Sequence, residues 1–327
     1  MRFLARRLLF YVLAFFVAVT LNFALPRLMP GSPLDGLILR YGDAIRSNPD
    51  ILKQLQASLG SEDESVPVAY AHYLKNIFTG DLGTSTANQV PVTEVIRNTL
   101  PWSIFLVGMA FLISFVVGTF LGMLAAWRRG GFIDRVGTPT LMALLSFPAF
   151  FLSLLAVYIL GFRLGWFPTQ HAYSTDIVPE YSWAFVGDAF RHAQLPVLVI
   201  VALTVGGWML GMRNVMITTI QEDYVTMARA KGLTDRRVMT SYAARNAILP
   251  PLTAFASLFA SAVGGLILVE VVFSYPGVGL TLQQAALGHD YPVVQALLLV
   301  IALCVLIANF ILDCVYVFLD PRVRTDS

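Results

Sequence analysis

Charge is what this sequence has least of. Only 13% of its 327 residues are charged, against 57% hydrophobic, and the mean hydropathy is +0.71. A soluble domain rarely sustains that balance, so the chain is expected to sit in lipid. Its net charge of +2 gives no footing for nucleic acid. Cysteine is equally scarce. Cys304 and Cys314 share the last apolar run. On a helix they would lie about 15 Å apart, beyond the reach of about 7 Å that a disulfide allows. Both read as small, packed apolar groups. His72, His171, His192 and His289 are scattered, form no HExxH and no metal pair, and are expected to be solvated or capping. No Gly-Lys dipeptide occurs, which excludes a P-loop and ATP hydrolysis by that route.

What is present is a series of long apolar runs. They cover about Leu8–Leu28, Trp102–Ala126, Thr140–Gly161, Leu195–Met212, Leu252–Phe273 and Val293–Leu319. A spanning helix needs about 20 such residues, so six transmembrane helices are expected in an all-α membrane protein. The first run follows Arg2, Arg6 and Arg7 but is not followed by a small-x-small cleavage site. It reads as an uncleaved span. The expected division is 1–28 for the N-terminal segment and first span, 29–100 for an external insertion, 101–319 for the membrane core and 320–327 for a tail. Within the insertion, Tyr70, Tyr73, Leu74 and Ile77 recur at helical spacing, and Gly80-Asp81-Leu82-Gly83 signals a turn. Trp102, Trp127, Trp166, Tyr291 and Tyr316 fall near run ends, as interface aromatics do.

Charge distribution orients these spans. With both termini inside, the inner segments hold Arg2, Arg6, Arg7, Arg128, Arg129, Arg135, Arg213, Arg229, Lys231, Arg236, Arg237, Arg245, Arg322 and Arg324, which is 14 of the 22 basic residues. The positive-inside bias therefore places the polar loop 216–250 in the cytoplasm.

That loop carries Glu222-Asp223-Tyr224-Val225-Thr226-Met227-Ala228-Arg229-Ala230-Lys231-Gly232-Leu233. Acids in a first turn and Arg229 and Lys231 in a last turn complement a helix dipole. Ala228 and Ala230 favour helix, and Gly232 suits the left-handed residue that ends one. Thr234-Asp235 can cap a second short helix running toward Asn246, and Pro250-Pro251 stop it or begin the next span. Small side chains here would let another protein approach closely.

Glu222, Ala228 or Ala230, Gly232 and Leu249-Pro250 resemble the "EAA" loop of the membrane subunits of binding-protein-dependent ABC importers. Pro30-Gly31-Ser32-Pro33, Tyr73-Leu74, Gly80–Ser85, Phe273–Gly279 and Asp290–Gln295 resemble stretches of the dipeptide/oligopeptide permease branch, first-permease type. One departure is Leu280, where that branch commonly has a basic residue. The resemblance implies a type I ABC importer fold in the bacterial plasma (inner) membrane. The implied partners are a second related permease chain, two ATPase subunits, an extracytoplasmic substrate-binding protein and membrane lipid. It implies ATPase coupling through Glu222, Asp223, Ala228, Arg229, Ala230, Lys231, Gly232 and Leu233. The chain itself would bind no cofactor and catalyse nothing, since ATP and Mg belong to the ATPases. Di- and oligopeptides are the leading substrates, with nickel chelates, glutathione and oligosaccharides as alternatives in the same branch.

Helix disturbers suggest the pathway. Gly118 and Gly122 suit close helix packing. Pro148 with Ser146 in the third span, Gly206-Gly207 in the fourth and Gly264-Gly265 in the fifth are expected to interrupt helices, which lipid tolerates where they are buried or line a cavity. Glu270 and Asp313 are acids in apolar surroundings and are expected to hydrogen-bond or snorkel. Asn309 shares a helical face with Asp313 and could bond to a neighbouring span. A proton-coupled transporter would need ionisable groups nearer mid-bilayer, and an intramembrane enzyme would need a paired constellation that does not appear.

Overall fold

The computed structural model describes residues 2–28, 65–180, 182–252, 254–255 and 267–319. The expectations for 29–64, for Gly264 and Gly265, for the side chain of Asp313 and for the tail 320–327 lie outside the described residues. In chain order the helices named below are α1 (Arg2–Leu28), α2 (Val66–Thr79), α3 (Val92–Trp127), α4 (Ile133–Leu145), α5 (Ala149–Arg163), α6 (Trp183–Thr219), α7 (Asp223–Ala230), α8 (235–247), α9 (Ile267–Val272), α10 (Val278–Leu287) and α11 (Tyr291–Leu319). Among the described residues, no β-structure occurs beyond an isolated bridge between Thr84 and Pro91. Among the described residues four helices, α1, α3, α6 and α11, are long and apolar enough to cross a membrane, and the bent pair α4–α5 makes a fifth if it is one span. About half of the fifth expected run, Leu252–Phe273, falls on 256–266, outside the described residues.

The chain divides into two compact units, 1–102 with 277–327, and 103–276. In the first, α1 packs along α11, with Tyr11 edge-on to Phe310 at 5.6 Å. α2 bears out the helical spacing read at Tyr70–Ile77. Pro67 sits in its first turn, where a missing N–H costs nothing, and Gly80 ends it at φ 75°. Its Tyr70 and Tyr73 rings meet Phe23 of α1 at 5.1 and 5.6 Å. Val92, Val278, Val293, Val294 and Leu297 close a second apolar cluster, in which α10 lies on α11.

In the second unit the small-residue pair behaves as its spacing predicts. A Cβ added at Gly122 would stand 2.3 Å from the Met209 carbonyl oxygen, and one at Gly118 would stand 2.5 Å from the Trp208 Cβ. Only glycine lets these backbones approach so closely. The third span is interrupted at Pro148, as expected, and the break is large: two helices meet at 105°. Pro148 cannot donate to the preceding turn and forces Phe147 out of helical geometry, so α4 stops and α5 begins from an extended Pro148 (φ −59°, ψ 132°).

The fourth span corrects the reading. α6 runs unbroken through Gly206-Gly207. At Gly206 the missing side chain makes room for α4, since a Cβ would meet the Leu141 carbonyl oxygen at 2.6 Å. α6 also begins at Trp183 and not at Leu195, capped by Ser182, whose Oγ accepts from the Phe185 N–H at 3.2 Å. α3 likewise begins at Val92, ahead of the apolar run. Polar turns preceding each run are helical too, and Pro101 and Pro196 are accommodated inside the helices.

Candidate functional site

The polar loop after α6 builds as its residues suggest. Glu222 is extended (φ −67°, ψ 146°), and its carbonyl accepts the first helical bonds, from Val225 and Thr226. α7 follows with Asp223 in its first turn and Arg229 in its last. Lys231 closes the helix and Gly232 takes the left-handed conformation at φ 74°. Nothing lies within 4 Å of where a Cβ on Gly232 would stand, so the backbone and not crowding asks for glycine there. α8 then begins as expected, but neither Thr234 nor Glu222 makes a side-chain cap bond. Its middle, Val238–Ala244, is a widened π-helical stretch. Helix resumes at 249–252, so Pro250 and Pro251 open the next helix and do not stop the last one.

The facing of α7 was not legible in the sequence. Val225 and Ala228, three apart, are buried against Met123 and Ala126 of α3, Met212 and Met216 of α6, and Val238, Ala243 and Ala247 of α8. Leu233 packs at the edge of the same cluster. Ala228 therefore keeps α7 close to its own bundle, which corrects the expectation that its small size serves a partner's approach. The outward face carries Glu222, Asp223, Tyr224, Met227, Ala230, Lys231 and Gly232. Among these, Met227 is 59% exposed and Tyr224 is 38% exposed, the large apolar side chains of that face. The sequence reading missed both, because which face of α7 turns inward depends on the helices that become its neighbours. Arg229 bends back over Trp127, its guanidinium carbon 5.1 Å from the ring centroid, a cation–π contact tying α7 to the end of α3.

A second tie lies beside it. Arg213 of α6 donates from Nε to Asp134 Oδ1 at 2.6 Å, and the Gly130 N–H donates to Oδ2 at 2.8 Å. The Arg213 hydrogen bond, and then the Gly130 N–H, hold the Asp134 carboxyl below its ordinary range. The sequence reading counted Arg213 only as a charge and did not name Asp134.

The expected pathway residues divide. A cavity of about 590 Å³ is lined by Phe111, Leu145, Thr204, Gly207, Trp208, Gly211, Val215, Pro250, Pro251 and Ala254. Gly207 faces it, and nothing lies within 4 Å of its absent Cβ. Gly206 does not line it, being taken up by contact with α4. Ser146 and Pro148 form the exposed corner next to Leu145, and the Ser146 hydroxyl bonds back to the Met142 carbonyl at 3.2 Å. The wall is apolar apart from the Thr204 hydroxyl, which donates to the Ile200 carbonyl and lies 2.7 Å from that of Ser114.

Glu270 does hydrogen-bond, as expected. It is 3% exposed and accepts from the Ser103 hydroxyl at 2.6 Å. His192 corrects the solvated reading of the histidines. It is 9% exposed on α6, with Nδ1 3.0 Å from the Asp188 carbonyl oxygen and 3.5 Å from its carboxylate. That carboxylate also receives the Ser174 N–H and hydroxyl. Among the described residues no group of three or more potential metal ligands comes together.

Comparison with known proteins identifies the family. Residues 118–325 match the family described as "Binding-protein-dependent transport system inner membrane component", and residues 1–107 match the N-terminal part of that family. The chain is 33% identical over 311 residues to a protein of Brucella abortus (strain 2308) named as a peptide transport system permease, covering 95% of each. It is 32% identical over 335 residues to the di/tripeptide transport system permease protein DppB of Pseudomonas aeruginosa, covering 98% of each. It is also 32% identical over 319 residues to the glutathione transport system permease protein GsiC of Pectobacterium atrosepticum, covering 98% of this chain and 97% of that one. With its apolar helices and its exposed helix between α6 and α8, the chain belongs to the inner-membrane components of binding-protein-dependent transport systems, as a multi-pass permease of the ABC importer class.

Proposed function

We propose that this chain forms half of an import pathway for di- and oligopeptides and couples it to cytoplasmic ATPases through α7. The carrying observation is the two-sided build of α7. One face is sealed onto α3, α6 and α8, while the opposite face offers Tyr224, Met227 and Lys231 to a partner. A short helix held this way moves with the bundle beneath it. In this reading Glu222, Asp223, Ala230, Lys231 and Gly232 meet an ATPase, while Ala228, Arg229 and Leu233 hold the helix for that contact.

The remaining architecture follows from the charge bias. Six spans put both termini in the cytoplasm of a bacterium, with the chain in the inner membrane and 29–100 outside. A second related permease completes the pathway, two ATPases bring ATP and Mg, and an extracytoplasmic binding protein delivers the substrate. The third to fifth spans line the path, and the cavity beside Gly207 supports this with a mostly uncharged wall suited to peptides of varied side chain. Glutathione is a second reading of the substrate, favoured by the likeness to the Pectobacterium permease.

The test is co-purification. Met227→Asp should leave the chain at its normal membrane level but lower the amount of ATPase recovered with it by about tenfold, since a buried contact residue is worth roughly 1–2 kcal/mol. Full recovery of ATPase with Met227→Asp and Tyr224→Ala together would remove α7 from the docking surface.

A further inference from the structure

Between α3 and α4 the chain makes a basic turn that neither the coupling role nor the pathway uses. α3 ends at Trp127, and Arg128, Arg129 and Arg135 are all exposed around the turn. Its backbone is tightly closed. Gly130 is left-handed at φ 73°, the Gly131 N–H donates to the Arg128 carbonyl at 2.9 Å, and the Arg135 N–H donates to that of Gly131 at 2.8 Å. Arg135 folds back over the turn, since its Nε and Nη2 would each stand 3.7 Å from a Cβ on Gly130. Its guanidinium thus returns to the residue that follows Arg129. Charges that served orientation alone would spread apart to lower their repulsion.

Asp134 is the only acid from Val95 to Thr175. Its carboxylate is already engaged by Arg213 Nε at 2.6 Å and by the Gly130 N–H at 2.8 Å, and Arg129 adds only its field. Among the described residues, the guanidinium groups of Arg128, Arg129 and Arg135 have no hydrogen-bond or ion-pair partner. The same turn shows apolar surface. Phe132 is 78% exposed and Val136 is 47% exposed, four residues apart on one face at the start of α4. The apolar run of α3 ends at Ala126, and Arg128 and Arg129 follow within about 5 Å along the helix axis, at the depth of lipid headgroups. A soluble anion would answer the arginines alone. A phosphodiester headgroup answers the arginines while its acyl chains answer Phe132 and Val136, so one molecule suits both halves.

We propose that the turn 128–136 is a binding site for an anionic phospholipid, its phosphate held by Arg128, Arg129 and Arg135 and an acyl chain laid along Phe132 and Val136. The site needs only a chain embedded in a membrane and does not depend on the substrate or the ATPase. Its consequence reaches α7 all the same. Arg229 of α7 lies over Trp127, the residue before Arg128, so a lipid bound here steadies the ground on which that helix rests.

The experiment places the full chain, alone and with its partner subunits, in nanodiscs of phosphatidylcholine. A photo-reactive benzophenone side chain replaces Phe132, and a trace of fluorescent phosphatidylglycerol or of equally labelled phosphatidylcholine is added. Irradiation should attach phosphatidylglycerol about tenfold more than phosphatidylcholine. Arg128→Gln with Arg129→Gln and Arg135→Gln should bring the two to equality, while Asp134 and Arg213 stay and keep the turn fastened. The matching triple lysine variant keeps the charge and should keep most of the preference. Excess inorganic phosphate should leave it standing. Equal attachment of the two lipids in the parent chain, or an undiminished preference in the glutamine variant, overturns the site. So does a preference lost equally with lysine, which would follow the shape of the turn and not its charge. Displacement by inorganic phosphate would make the turn a site for a free anion, and attachment to an ATPase subunit in place of lipid would make it a protein contact; either result overturns the proposal.

Discussion

The loop around α7 and the loop from Gly83 to Val92 are both short polar excursions between apolar helices, yet they are fastened by opposite means. α7 is held by apolar contact, through Val225 and Ala228 on a floor of methionines and alanines. The other loop is held by the buried carboxylate of Asp290, which reaches across about 200 residues of sequence to the Ser85 hydroxyl and the Thr86 and Ala87 N–H groups. Apolar contact is non-directional, and methionine adapts to a shifted neighbour. A hydrogen-bonded carboxylate tolerates little displacement, because each lost donor leaves a buried polar group unpaired. The first fastening suits an element that rides on moving helices. The second suits one whose outline must not change.

Removing the carboxylate is the strongest test of this contrast. Asp290→Ala leaves two N–H groups and a hydroxyl without their acceptor and should destabilise the purified chain by about 3 kcal/mol, read as a lowered thermal midpoint. An effect near zero would show that water replaces the carboxylate freely. Next in size is Ala228→Leu, which overfills the floor of α7. It should cost about 2 kcal/mol and displace the helix, so that ATPase recovery falls although no outward residue has changed. Unaltered recovery would mean that the outer face is set independently of the inner one. Gly232→Ala should cost about 1 kcal/mol, through backbone conformation alone, since the space for the methyl group is open. Smallest is the acid response of Asp134. Its carboxyl is held below the ordinary value of 3.8, so its contribution is complete above that value and fades as pH falls through the depressed one. Asp134→Asn should flatten this part of the pH–stability curve, measured by thermal unfolding between about pH 2.5 and 5.

How much of this was readable in advance depended on range. Glu222-Asp223 and Gly232 announced the ends of α7 because dipole-complementing acids and a left-handed terminus are local signals. Gly118 and Gly122 announced a close crossing because four-residue spacing is enough to make a smooth stripe. Pro148 marked a disturbance, but nothing local distinguishes a kink from a turn of 105°. Gly206-Gly207 misled for a related reason. Glycine permits a break without requiring one, and contact with α4 on one side and an open cavity on the other gave each residue a use inside a continuous helix. The inward turn of Ala228 and the meeting of Ser85 with Asp290 depend on which helices become neighbours, a property that no window of sequence contains.

The uninterrupted course of α6 has a mechanical consequence. Its 37 residues make a rod of about 55 Å, against about 30 Å of hydrocarbon to be crossed. One end carries Asp188, which accepts from Ser174, and His192, which contacts Asp188, and the other carries Met212 and Met216, on which α7 is seated. A tilt of only about 5° about the first end sweeps the second by about 5 Å, nearly one helical turn. On the coupling role proposed for α7, α6 would act as a lever whose gain is set by its length, giving a long stroke at the rim without a large rearrangement within the core.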